Sequence, residues 1–177
     1  MIQNKKQTIK KKTKTVKPKE SLAIFIDYSN LFIGLRNQNK EIDLTVLREY
    51  LSAGRKLLEC YIYIAINPNQ PETSHELISQ LNEAGFSVKQ KIAKVFPNGS
   101  LKCDTDIEMA LDILDFVEKA KPDIIVLVTG DSDFIPLVEK LKSQGIRIEI
   151  ASFKGIISRE LKDSASGYID IFSAQAE

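Results

Sequence analysis

The chain has 177 residues, enough for one domain to bury most of the surface its unfolded form would expose, and holds no apolar run approaching the roughly 18 residues of a membrane span. Hydrophobic residues make up 43% and charged residues 28%, which places it among ordinary globular proteins. The net charge of +1 conceals a split: eight lysines precede Glu20, the first acid, and from Ser21 onward 17 basic residues stand against 23 acidic ones, a net of −6.

Residues 1–20 are almost devoid of apolar side chains and rich in lysine, with Pro18 near the end, so they are expected to form a disordered basic tail ahead of one domain over 21–177. No apolar core follows the charges, which argues against a secretory signal, and the lack of arginine argues against a mitochondrial transit peptide. The tail reads either as an RNA-binding arm supplying the positive charge the body lacks, or as a solubilising terminus. Cys60 and Cys103 match no metal-ligand spacing and read as reduced thiols of a cytoplasmic protein.

SLAIFIDYSN opens with an apolar run of strand length that stops at Asp27, and an apolar run without alternation suits a strand covered on both faces. Asp43 suits the N-cap of a helix carrying Leu44, Leu47, Tyr50 and Leu51 on one face, with Gly54 near its end. A second strand is expected over 57–66, then a helix from Pro71 to Gly85. FSVKQKIAKVF alternates and reads as a strand near an edge, followed by a Pro97-Asn98-Gly99 turn. A helix from about Asp104 to Ala120 ends at Lys121-Pro122, and IIVLVTGDSDF is a strand running into an acidic turn and a helix that stops at Gly145. A strand at 146–153, a short helix at 157–164 and a last strand at 168–172 complete the chain. Strands alternating with helices imply right-handed crossovers and a mainly parallel sheet.

In such sheets, sites form beyond the carboxyl ends of the strands where strand order reverses, which directs attention to Asp27 and to Asp131 with Asp133. Asp104 and Asp106, at the start of the long helix, are a third acidic source. Two carboxylates about 5 Å apart repel by roughly 3 kcal/mol at an effective dielectric near 20. A folded chain keeps such a group by protonation, by pairing with Lys or Arg, or by a cation. Oxygen ligands without a local His or Cys suit magnesium-like ions rather than zinc. The competing reading is that these residues cap helices and close turns. His75 lies on a helix away from the acids and reads as a surface residue, and Tyr28 either stacks on a base or packs in the crevice.

SLAIFIDYSNL, LKCDTDIEMALDIL, IIVLVTGDSDFIPLVEKLKSQGIRIEIASF and ISRELKDSASGYIDI, in that order, resemble the motifs of the NYN domain family, in its LabA-like branch. The resemblance covers about Ser21 to Phe172 and implies a three-layer, Rossmann-like (PIN-like) α/β fold related to nucleases that cut RNA. DYSN resembles the family's Asp-x-x-Asn and TGDSDF its Gly-Asp-x-Asp-Phe. Residue by residue, it implies Asp27, Asp106, Asp131 and Asp133 as metal ligands for Mg2+ or Mn2+ and Asn30 as their helper, orienting substrate or water. Asp112 matches a later family Asp, but lies about 120° around the helix from Asp106. Two positions depart from the pattern: Asp104-Thr105 stands where Gly-Val is common, and Ser166 where an Asp is usual.

The expected activity is metal-assisted hydrolysis of RNA phosphodiesters, single-stranded or structured, leaving a 5′-phosphate and a 3′-hydroxyl without need of a His base. The expected partners are RNA and, if the chain self-associates, a second copy in a homodimer; no membrane is expected. The alternative is a non-catalytic RNA-binding regulator of the LabA-like type, which binds RNA without metal-dependent cleavage. A haloacid dehalogenase-like phosphatase would want Asp-x-Asp where this chain has Asp27-Tyr28-Ser29, and a dinucleotide enzyme would want a Gly-x-Gly-x-x-Gly after the first strand.

Overall fold

The computed structural model describes residues 19–99, 101–103 and 105–172. Residues 1–18 of the expected tail and Asp104 lie outside the described residues. The first strand, β1 (Ser21–Asp27), is buried almost end to end, as its unbroken apolar run requires. Helix α1 (Tyr28–Asn37) follows without a loop, and α2 (Leu44–Ser52) starts from Asp43, whose Oδ1 accepts from Thr45 N at 2.7 Å and Val46 N at 3.3 Å. β2 (Lys56–Ile66), α3 (Pro71–Glu83) and β3 (Ser87–Ile92) form the next unit. A short antiparallel pair, β4 (Lys94–Val95) with β5 (Leu101–Lys102), leads to α4 (Asp106–Ala120). β6 (Ile124–Val128), α5 (Ile135–Ser143), β7 (Arg147–Ser152), α6 (Arg159–Ser164) and β8 (Gly167–Asp170) close the chain.

The central sheet has six strands in the order β3-β2-β1-β6-β7-β8, and every adjacent pair is parallel. This is the three-layer α/β arrangement expected from the alternation of elements. Strand alternation divides the core in two. Leu22, Ile24 and Ile26 point to the layer formed with α1, α2 and α3, where Leu31, Leu47, Leu51 and Leu81 meet them. Ala23 and Phe25 point to the opposite layer, with Met109 and Ile113 of α4, Leu137 and Leu141 of α5, and Leu161 of α6. Each fully buried aliphatic or aromatic side chain contributes about 1.5–3 kcal/mol of transfer free energy, so these two layers fix the sheet's register. Among the described residues no helix is long and apolar enough to cross a membrane.

Three local readings change. The segment after Asp27, to which no element was assigned, is a helix. The expected strand at 86–96 breaks at the buried Ala93 into an edge strand and one arm of a hairpin, which the Pro97-Asn98-Gly99 turn caps with Gly99 at φ +78°. The long helix begins at Asp106.

Candidate functional site

The chain runs β1, β2, β3 outward on one side, then crosses to β6, β7, β8 on the other, so strand order reverses between β1 and β6. β1 ends at Asp27, and β6 is followed by Thr129, Gly130 and Asp131. Both acids therefore stand at the carboxyl edge of the sheet, at the switch point.

Asp27 is 7% exposed and N-caps α1, its Oδ1 accepting from Asn30 N at 3.1 Å. Burial pushes its carboxyl above the usual range, backbone N–H groups of Asn30 and Ser29 pull it down, and the charge of neighbouring Asp131 raises it further. Asp131 is half-buried and caps the 3₁₀ turn Ser132–Phe134, with Oδ1 accepting from Asp133 N at 3.0 Å. Both acids thus fill the capping role weighed for them, and they are also neighbours. Among the described residues, no Lys or Arg forms an ion pair with Asp27, Asp131 or Asp133.

Asn30 joins the two strand ends. Its Oδ1 accepts the Gly130 N–H at 2.9 Å, so the carboxamide oxygen is engaged with backbone while its amide group can donate to substrate or water. Gly130 sits in a crowded place: its φ is not left-handed, and an added Cβ would lie 3.1 Å from Ser152 Oγ and 3.2 Å from the Ile156 carbonyl oxygen.

Asp133 is exposed on the 3₁₀ turn, and Asp106 is the half-buried first residue of α4, on the sheet face toward which Phe25 points. Among the described residues, no group of three or more His, Cys, Asp or Glu side chains is assembled to hold a metal ion. The expected four-acid ligand set is therefore not gathered as such. The pair of Asp27 and Asp131 still fits a magnesium-like ion by its chemistry, since such an ion takes one or two carboxylates, keeps several waters and accepts substrate phosphates. The uncompensated charge at Asp27 and Asp131 is the kind a divalent cation relieves.

Asp112 has a different place. Tyr63, the Cα register partner of Asp27 on β2, donates its hydroxyl to Asp112 Oδ2 at 2.9 Å, and Lys89 Nζ lies 3.2 Å from the same oxygen. Burial, then the bond to this carboxylate, pushes the Tyr63 phenol far up, so it remains a donor. Asp112 thus buttresses the strand beside Asp27. Tyr63 was missed in the sequence; its one signal is a tyrosine inside an apolar strand, whose hydroxyl needs a partner. Ser166 sits at the amino end of the sheet, exchanging hydrogen bonds with Ile148 of β7. Ile148 stands four residues before Ser152, where β7 ends, so Ser166 lies about 13 Å from the carboxyl edge. Its departure from the family pattern removes no acid from the pair at the strand ends. His75 is exposed on α3, as expected of a surface residue.

A family model described as NYN domain matches residues 21–172. The chain is 31% identical over 159 residues to the low amplitude and bright protein LabA of Synechococcus elongatus, covering 85% of this chain and 83% of that protein. It is 28% identical over 163 residues to an uncharacterized protein of Methanocaldococcus jannaschii, covering 92% of this chain but 60% of that longer protein. A crystal structure of a protein of unknown function from Vibrio parahaemolyticus superposes with a TM-score of 0.74 at 25% identity, covering 89% of this chain and 96% of that one.

Proposed function

Because the chain belongs to the NYN domain family, which is nuclease-like, we propose that it is a divalent-metal-dependent ribonuclease with Asp27 and Asp131 at its centre. The observation that carries this reading is the buried Asp27 carboxylate beside Asp131, with no Lys or Arg ion pair to either among the described residues. In this reading Asp27 and Asp131 would hold Mg2+ or Mn2+, with Asp106 and Asp133 as the further acids available to it. When bound, the ion lowers the pKa of a coordinated water and neutralises charge on the leaving oxygen. The protein's own part is positional. Asn30 ties α1 to Gly130 and so sets the separation of the two carboxylates, while its amide group faces substrate. Tyr63, held by Asp112, walls the site on the β2 side.

A second reading, an RNA-binding regulator without catalysis, is favoured by the lack of any three-acid cluster among the described residues. Labelled single-stranded RNA incubated with the protein in Mg2+, in Mn2+ and in chelator separates the two. The ribonuclease reading expects cleavage in either metal, none in chelator, and loss to background in Asp131→Asn. Binding with no cleavage in any condition supports the regulator, and cleavage that survives in chelator and in the variant overturns the metal centre.

A further inference from the structure

Helix α1 does more than present Asp27. It carries Tyr28, half-buried against the core layer, and Phe32 one turn apart, their ring centroids 6.0 Å from each other and their planes inclined by 25°. Phe32 is 50% exposed, and Ile33 beside it is also open to solvent. A single exposed apolar residue needs no explanation, but two stacked rings with a cation one turn further on form a pattern. Arg36 follows at the same spacing and makes no ion pair among the described residues. Lys40, past the end of the helix, is held with its ammonium 3.8 Å over the Phe172 ring. Tyr28, Phe32, Leu35, Arg36, Lys40 and Glu41 contribute to the wall of an open recess of about 660 Å³, so Glu41 is an acid among these cations. That volume suits a ligand of nucleotide size.

We propose that the Tyr28–Phe32–Arg36 row with Lys40 is a stacking track for single-stranded RNA, along which bases lie on the rings and phosphates meet the two cations. Resting on the ribonuclease reading for its choice of RNA, the track delivers the strand to Asp27, the residue that immediately precedes Tyr28. From Tyr28 to Arg36 the row rises eight residue steps, about 12 Å along the helix axis, leading away from the carboxylates. Aromatic faces accept any base, and an arginine plane extends such a surface. The cations favour a polyanion over an apolar protein partner, and their pairing with flat rings favours unstacked bases over a duplex. α1 is braced for this role, because Gly34 lies against Phe153 so closely that an added Cβ would come within 2.2 Å of the Phe153 ring.

The chain contains no tryptophan, so Phe32→Trp in the full-length protein places a single reporter on the track while preserving a stacking face. The probe is an oligouridylate of about ten nucleotides, with its abasic counterpart as control, titrated in chelator so that nothing is cleaved. We expect saturable quenching of the Trp with the oligouridylate. We also expect Phe32→Ala to weaken oligouridylate binding on the order of tenfold, as the loss of one stacked base does, while abasic binding is unchanged. Equal affinity of Phe32→Ala and wild type overturns the track, as does an equal loss for both probes. A Trp signal that follows protein concentration and ignores RNA assigns the surface to a second copy of the chain and also overturns it. Base-dependent quenching without cleavage by the wild type leaves the track standing and removes the catalytic reading; cleavage with an indifferent Phe32 does the reverse.

Discussion

The carboxamide oxygen of Asn30 takes the N–H of Gly130, a buried backbone group at the end of β6, at 2.9 Å. Asn30→Ala leaves that donor without its acceptor, and a buried orphan donor costs about 1–3 kcal/mol. The urea midpoint of Asn30→Ala is expected to fall accordingly with an unchanged slope, and an unaltered midpoint would show that the bond carries no weight. Asp27 and Asp131 were legible in the sequence because an apolar run that stops at a carboxylate marks a strand end. That these two become neighbours was not legible from spacing, since it depends on β1 and β6 pairing directly. The Tyr63–Asp112 bond was hidden for the same reason: it needs the register of β2 and one particular turn of α4. The crowding of Gly130 by Ser152 and Ile156 was hidden likewise, since it depends on how β7 and the segment after it lie against the end of β6.

Helix α1 escaped the sequence reading because its segment, YSNLFIGLRN, is poor in strong helix formers and contains Gly34, which disfavours a helix interior by about 1 kcal/mol relative to Ala. Tertiary packing overrides propensity here. Leu31 and Gly34 are buried against the sheet layer, and Asp27 caps the first turn. Gly34→Ala restores propensity yet drives a methyl to within 2.2 Å of the Phe153 ring. Overpacking of this kind costs about 1–3 kcal/mol. The variant is therefore expected to melt below wild type despite its better helix propensity, and a melting temperature equal to or above wild type would show that α1 is free to shift. α2 and α3, by contrast, were readable because Asp43 and Pro71 announce their first turns and their apolar faces repeat at helical spacing. The split of the expected strand at 86–96 was not, since nothing in the alternation of FSVKQKIAKVF marks where pairing with β2 ends.

At the scale of the whole molecule, alternating apolar strands and amphipathic helices were sufficient to give the three-layer α/β class, and the strand order then placed the acids at the reversal between β1 and β6. The chain's charge is divided between a lysine-rich start and an acidic remainder. If the start serves as an RNA arm, deleting residues 1–19 weakens RNA binding and flattens its salt dependence, by about 0.7 in the log–log slope for each phosphate that is no longer neutralised. An identical slope with and without these residues removes the arm. The acidic pair can be tested without reference to activity by a titration with Mn2+, following the free ion by electron paramagnetic resonance. A saturable site is expected in the wild type, and its loss in the Asp27→Asn/Asp131→Asn double variant with the fold retained. Equal Mn2+ binding by both proteins, or none by the wild type, would contradict that expectation.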